Sequence, residues 1–117
     1  MVANPAVRGK IRYIVVQPTP FCNINCTYCY LAGRQNSAKM SLDIISKLYQ
    51  QLFECGLAAP RLVTLWHHGE PLTVPLSFYE EAFRLIKRLQ PPEVQTHHRI
   101  QTNGTLLTDR WCEFLLQ

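Results

Sequence analysis

Three cysteines lie close together near the start of the sequence: Cys22, Cys26 and Cys29, separated by three residues and then by two. Thiolates at such spacing bind zinc or an iron–sulfur cluster. A structural zinc site and a ferredoxin-type cluster each normally use four protein ligands, and no obvious fourth ligand accompanies these three. The spacing therefore predicts a cluster that is held at three corners and has one open iron.

Turn-forming and polar residues follow two other predicted strands. β-Branched and aromatic runs predict strands over residues 11–17, 62–66 and 97–102. Gly69, Glu70 and Pro71 follow the second strand, and Asn103 and Gly104 follow the third, just as the cysteines follow the first. Taken alone, Gly69-Glu70-Pro71 is typical of a strand-to-loop turn, and Asn103-Gly104 is typical of a tight turn.

Helical patterns alternate with these strands. Helix starts are predicted at the N-cap Ser41, at the capping box formed by Ser77 and Glu80, and at the N-cap Thr108. Gly56 and the Pro91-Pro92 pair are predicted to end the first two helices. The alternation predicts an α/β fold with parallel strands and right-handed crossovers. Loops after the carboxyl ends of parallel strands share one rim, so the three groups of residues should meet there.

The amino-acid sequences of the three segments resemble motifs of the radical S-adenosylmethionine (SAM) superfamily. Tyr28 completes the pattern C-x-x-x-C-x-aromatic-C. Residues 65–72, LWHHGEPL, resemble the family's second motif, usually Gly-Gly-Glu-Pro, with His68 in the place of the first Gly. Residues 100–107, IQTNGTLL, resemble the segment after its third strand. The likeness runs from about residue 11 to 117 and is strongest to the peptide- and protein-modifying maturase branch, of the SPASM and anaerobic sulfatase-maturase type.

This resemblance implies a fold and a domain organisation. The fold would be an incomplete parallel (β/α) barrel, about three strand–helix units of a partial TIM barrel. Residues 1–117 would be the N-terminal portion of the core domain, truncated, with a cluster loop at residues 18–40. Because three parallel strands leave open sheet edges and uncovered apolar surface, we expect little activity from the chain alone.

The resemblance also implies cofactors and site residues. Cys22, Cys26 and Cys29 would bind three irons of a [4Fe-4S] cluster, and the open iron would bind SAM for reductive cleavage to a 5′-deoxyadenosyl radical. Further SAM-binding positions would be Glu70 and Gly69 at the amine, Tyr28 near the adenine, and Asn103, which could instead contact substrate or form only the turn. The implied partners are a peptide or protein substrate, an external electron donor and a complementing chain that supplies the rest of the barrel.

Composition sets limits on the partners. The net charge of +4, from twelve Lys and Arg against eight Asp and Glu, is too mild to indicate nucleic acid. No apolar stretch approaches the roughly 18 residues that cross a bilayer, and residues 1–5 do not resemble a cleaved leader. We therefore predict a cytoplasmic protein without membrane contact.

Other candidate residues receive structural interpretations. Cys55 and Cys112 lie in helical apolar patterns and are predicted to be small buried hydrophobes. His67-His68 and His97-His98 are neighbours, so each pair should point to opposite faces of a strand and serve packing or rim contacts. The alternative function is a non-catalytic interaction module that binds zinc or an iron–sulfur cluster through the three cysteines.

Overall fold

A computed structural model describes residues 9–117 and shows a three-stranded sheet with helices between the strands. Residues 1–8, which include the segment predicted not to be a leader, lie outside the described residues. In chain order the elements are β1 (Ile11–Val16), α1 (Leu42–Glu54), β2 (Ala58–Trp66), a 3-10 turn (Pro71–Thr73), α2 (Leu76–Leu89), β3 (Gln95–Ile100) and α3 (Asp109–Leu115). The strand order is β1-β2-β3, and both pairs are parallel. The predicted α/β fold with parallel strands is confirmed.

Two of the three predicted helix starts are confirmed by their caps. Ser41 Oγ accepts a hydrogen bond from the backbone N–H of Ile44 at 3.3 Å, and Thr108 Oγ1 accepts one from Trp111 N–H at 3.3 Å. Gly56 follows α1 with a φ of +63°, the left-handed conformation that ends many helices. Local sequence chemistry therefore determines the start of α1, its end and the start of α3.

The predicted capping box at the start of α2 is wrong. Helix α2 begins at Leu76, and the N-cap position is Pro75, whose side chain makes no capping hydrogen bond. Ser77 lies inside the first turn, where it cannot cap the helix. Leu76 is buried, so packing starts the helix two residues before the position that the capping signal indicates. At the other end, Gln90 is extended because it precedes Pro91.

Strand β2 is longer than predicted, and β3 begins and ends two residues earlier. Pro60 lies within β2, in a segment where the register between β1 and β2 is irregular. Pairing of β2 with β3 begins one residue later, at Arg61 opposite Gln95, so the missing N–H of Pro60 interrupts no regular ladder. The two strands end together at Trp66 and Ile100, which places both following loops on the same rim.

Helices α1 and α2 pack on each other and on the central strand β2. Trp66, Tyr49 and Tyr79 are fully buried in this core, and the Trp66 ring lies edge-on to Tyr79 with centroids 5.4 Å apart. On β1, by contrast, Tyr13 and Val15 are 47% and 48% exposed. The described sheet is therefore covered on its helical side and open on the face that a closed barrel would enclose.

The predicted burial of Cys112 is wrong, because this side chain is exposed on α3. Trp111, the preceding residue, is the buried position of that helix, and a neighbour along a helix points about 100° away. Cys55 is half-buried at the C-cap of α1. Within residues 9–117, no helix has the length and apolar character that crossing a membrane requires.

Candidate functional site

The loops that follow the three strands line one open cavity of about 180 Å³. Six of the seven predicted site residues line it: Cys22, Cys26, Cys29, Gly69, Glu70 and Asn103. The wall also contains residues that were not predicted as cofactor or metal ligands, namely Ile24, Arg34, His67, Gln101 and Thr102. The structure thus brings together chain segments that are about 80 residues apart in sequence.

The cluster loop is fastened at its base by hydrogen bonds that join its two ends. The N–H of Met40 donates to Pro18 O at 2.8 Å, and Thr19 Oγ1 donates to Ala38 O at 2.6 Å. Thr19 is 1% exposed, so its hydroxyl is a buried anchor. These bonds hold residues 18–40 as a closed loop directly after β1.

Arg34 supports the cysteines from within this loop. Its Nη1 donates to Cys26 O at 3.1 Å, and its own carbonyl oxygen accepts a hydrogen bond from Cys22 N–H at 3.0 Å. The guanidinium also brings a positive charge to the cavity that the three thiols line. The sequence signal for this role was weak, since a single arginine in a small, polar loop segment has no distinctive spacing.

Tyr28 is the predicted site residue that does not line the cavity. Its side chain is 87% exposed. Hydrogen bonding to the Cys26 side chain, together with the electrostatic interaction between the two groups, raises the pKa of Tyr28. The phenol therefore lies beside the second cysteine, on the solvent side of the loop.

Gly69 allows the loop after β2 to touch the cluster loop. Its φ is +65°, and a Cβ on this residue would lie 2.3 Å from Thr19 O and 2.8 Å from Phe21 O. Such contacts are far shorter than van der Waals separation, so only glycine fits. The next residue completes the junction, because Glu70 N–H donates to Phe21 O at 2.7 Å.

The carboxylate of Glu70 is 2% exposed and already holds three donors. Oε1 accepts from Leu72 N–H at 3.1 Å and from the Thr102 hydroxyl, and Oε2 accepts from Asn103 N–H at 2.8 Å. An ionised carboxylate offers about four lone-pair sites. One site on Oε2 therefore remains for a further donor, such as an ammonium group.

Asn103 lines the cavity and directly precedes a turn that is closed by the hydrogen bond from Leu107 N–H to Gly104 O at 3.3 Å. Gly104, the first residue of that turn, has a φ of +78°. The side-chain Nδ2 of Asn103 donates to Asn23 Oδ1 at 2.9 Å and lies 3.9 Å from Cys22 Sγ. Asn23 in turn donates to Thr105 Oγ1 at 2.8 Å. These side chains connect the loop after β3 to the cluster loop.

The prediction that His67 and His68 point to opposite faces is wrong. Strand β2 ends at Trp66, so neither histidine lies in the strand, and their ring centroids are 4.3 Å apart. His68 has a φ of +69°, the conformation in which glycine is favoured. A histidine therefore stands in the place of the expected glycine and adopts a backbone conformation that suits one.

His67 contributes a half-buried ring to the cavity wall. Its Nδ1 is buried and has no hydrogen-bond partner. Burial is the main cause that lowers the pKa of His67; the neighbouring His68 also lowers it, whereas Glu70 opposes the shift. The neutral imidazole is thus favoured beside the thiols.

Three cysteine thiols line the cavity, and thiolates are the ligands that hold iron–sulfur clusters. Among residues 9–117, no three His, Cys, Asp or Glu side chains converge on a point that could hold one metal ion. An iron–sulfur cluster does not require such convergence, because each thiolate binds a different iron. The three thiols that surround one cavity meet this less restrictive condition.

Comparisons with known proteins identify the family of the chain. The family model described as "Radical SAM superfamily" matches residues 16–117. The serine-type anaerobic sulfatase-maturating enzyme of Bacteroides thetaiotaomicron is 38% identical over 113 residues, which are 91% of this chain and 27% of that protein. The enzyme of the same name from Klebsiella pneumoniae is 35% identical over 103 residues, 86% of this chain and 26% of that protein. The chain therefore spans about a quarter of the length of these relatives.

A solved structure shares the fold. Native anSMEcpe with bound AdoMet and Cp18Cys peptide aligns with a TM-score of 0.77 at 24% identity, over 90% of this chain and 28% of that one. The three parallel strands and their helices are thus a partial barrel of that type, with a sheet that does not close. The predicted resemblance to the maturase branch is confirmed, and the chain belongs to the radical SAM superfamily.

Proposed function

We propose that residues 1–117 form the N-terminal portion of a radical SAM core domain and bind a [4Fe-4S] cluster through Cys22, Cys26 and Cys29. One observation carries the proposal: these three thiols line the same small cavity as Gly69 and Glu70. When bound, the cluster and SAM supply reductive cleavage of the sulfonium to a 5′-deoxyadenosyl radical. The residues of the chain hold and orient the two cofactors.

The amino group of SAM is assigned to the Glu70 side of the cavity. The carboxylate keeps one lone-pair site on Oε2, and an ammonium donor there would make a charge-assisted hydrogen bond. Because Gly69 has no side chain, its backbone can lie close to the SAM amino group. Asn103 forms the adjoining wall, and Tyr28 is assigned to the adenine side, where its exposed ring is available for stacking.

The substrate class is assigned to peptides or proteins. This assignment is supported by the sulfatase-maturating relatives and by the peptide bound in the similar structure. The site also requires an external electron donor for the cluster. A complementing chain would cover the exposed face of β1 and complete the barrel, so we expect little turnover from residues 1–117 alone.

The test is anaerobic reconstitution of the 117-residue chain with iron and sulfide. We expect about four irons and four sulfides per chain and an electron paramagnetic resonance (EPR) spectrum that changes when SAM is added. The triple variant Cys22→Ala, Cys26→Ala, Cys29→Ala should lose the iron, whereas Cys112→Ala, at an exposed cysteine, should retain it. Equal iron in the triple variant, or one tetrahedral zinc per wild-type chain, would overturn the proposal.

Activity is tested on the same material. Reduced, reconstituted chain with SAM should give little 5′-deoxyadenosine. Robust production would show that the chain is active alone and would contradict the need for a complementing chain, while leaving cluster binding intact.

A further inference from the structure

The side chain of Asn103 is saturated by contacts within the protein. A primary amide offers two donors and two acceptor sites. Oδ1 accepts from Thr105 N–H at 3.0 Å and from Thr105 Oγ1 at 2.8 Å. One Nδ2 proton is donated to Asn23 Oδ1 at 2.9 Å. The second donor lies 3.9 Å from Cys22 Sγ, within reach of a hydrogen bond to sulfur.

The backbone of Asn103 contacts a different part of the cavity wall, the part that contains Glu70. Asn103 N–H donates to Glu70 Oε2 at 2.8 Å. One residue thus bonds through its backbone to the carboxylate after β2 and through its side chain to a cysteine after β1. The two partners are 33 and 81 residues away in sequence. Their relative position is therefore fixed through Asn103.

A donor on a cysteine sulfur has a specific electrostatic consequence. Reduction of an iron–sulfur cluster adds negative charge to the iron and sulfur atoms. An N–H that points at a ligand sulfur stabilises this charge, so hydrogen bonds to sulfur are among the factors that set the reduction potential. The amide is held by Asn23 and Thr105, so its direction does not depend on the cofactor.

We infer that Asn103 is a positioning residue that fixes Cys22 against Glu70 and raises the reduction potential of the bound cluster. The inference rests on the proposed function, because it requires a cluster on Cys22. It assigns the Asn103 side chain to the cysteine ligand instead of to SAM or substrate, since no donor or acceptor of that amide is left unused.

The test is an EPR-monitored redox titration of the reconstituted 117-residue chain. Asn103→Ala removes the side-chain donor, and Asn103→Asp removes it while adding a negative charge at the same place. Both variants keep the backbone N–H that bonds Glu70. The midpoint potential should fall from wild type to Asn103→Ala and fall further in Asn103→Asp.

Asn36→Asp is the matched control. Asn36 is an exposed residue of the cluster loop that does not line the cavity, and its Oδ1 accepts from Ala38 N–H at 3.0 Å, a contact that aspartate preserves. This variant adds the same charge to the loop without removing a donor from a cysteine. Its potential should remain close to that of wild type.

A second measurement distinguishes loss of the Asn103–Cys22 hydrogen bond from a general loosening of the loop as the cause of a changed potential. Electron–nuclear double resonance on the reduced cluster should show an exchangeable-proton coupling that disappears in Asn103→Ala and persists in Asn36→Asp. Unchanged potentials and an unchanged proton coupling in a cluster-bearing Asn103→Ala protein would overturn this inference alone. Failure of the wild-type chain to assemble any cluster would overturn the proposed function, and the inference with it.

Discussion

The backbone N–H of Asn103 donates a 2.8 Å hydrogen bond to Oε2 of Glu70 and thereby joins the loops that follow β2 and β3. Leu72 N–H and the Thr102 hydroxyl occupy the other carboxylate oxygen. These three donors are neutral, so the Glu70 carboxylate is stabilised by oriented dipoles in a nearly water-free setting. The geometry of the cavity therefore depends on the hydrogen-bonding character of one carboxylate.

Glu70→Gln should destabilise the fold although it preserves the shape of the side chain. Whichever way the new amide is oriented, its NH₂ group faces a donor, either Asn103 N–H or Leu72 N–H with the Thr102 hydroxyl. A buried donor left without an acceptor costs about 1–3 kcal/mol. Urea denaturation followed by circular dichroism should show this loss in the free energy of unfolding.

Glu80→Gln is the control for that change. The side chain of Glu80 is 38% exposed, and its Oε1 lies 3.9 Å from Arg110 Nη2. Such a surface pair contributes about 0–1 kcal/mol. If both variants lost the same stability, the Glu70 network would have no special role.

Gly69→Ala should separate the two loops that meet at the cavity. The added Cβ would lie 2.3 Å from the carbonyl oxygen of Thr19, in a backbone conformation with a φ of +65°. The left-handed strain, about 1–2 kcal/mol, and the overpacking, about 1–3 kcal/mol, should both lower the free energy of unfolding. Thermal unfolding would measure the loss of stability, and iron content after reconstitution would measure the damage to the site.

Gly33→Ala separates strain from close contact. Gly33 lies in the cluster loop with a φ of +71°, and a Cβ there would meet nothing within 4 Å. The Gly33→Ala variant should lose only about 1–2 kcal/mol of stability to left-handed strain, and iron binding should persist. A loss at Gly33 as large as that at Gly69 would contradict the argument from contact.

The sequence predicts the parts of the fold that depend on local chemistry. Ser41 and Thr108 cap helices where expected, because an N-cap requires only a hydroxyl and the N–H groups that follow it. The meeting of the three loops also follows, since alternating strands and helices imply parallel pairing with a common rim.

Contacts between distant segments are the part that sequence reasoning did not reach. The bond from Asn103 to Asn23 spans 80 residues, and nothing local in either segment indicates it. The placement of Arg34 beside Cys26 likewise depends on how the cluster loop closes. The start of α2 was misplaced for a related reason, because burial of Leu76 outweighed the capping signal at Ser77.

His68 should reverse the usual order of alanine and glycine stability. In most positions glycine is less stable than alanine, because it loses more backbone entropy on folding. At a φ of +69° alanine retains the left-handed strain that glycine avoids, about 1–2 kcal/mol. His68→Gly should therefore unfold at a higher urea concentration than His68→Ala. Greater stability of the alanine variant would show that the backbone relaxes out of the left-handed region.

His98 is the histidine with the strongest structural constraint. Its ring stacks on Phe83 with centroids 3.7 Å apart, and its Nδ1 accepts a hydrogen bond from Trp66 Nε1 at 3.2 Å. Burial, with a smaller contribution from the charge of His97, lowers the pKa of His98 from 6.5 to about 4. Protonation of Nδ1 would also remove the acceptor of the buried indole N–H.

The stability of the fold should consequently depend on pH through His98. The folded state keeps this imidazole neutral, whereas the unfolded chain takes up a proton as the pH falls below 6.5. Stability is therefore fully present above pH 6.5 and falls between there and pH 4, by up to about 3 kcal/mol. The measurement is the free energy of unfolding of wild type and of His98→Gln at pH 7.5 and at pH 5. The difference between the two proteins should be smaller at pH 5. His97→Gln is the control and should keep most of the wild-type pH dependence; a His98→Gln protein that loses as much stability on acidification as wild type would contradict the assignment.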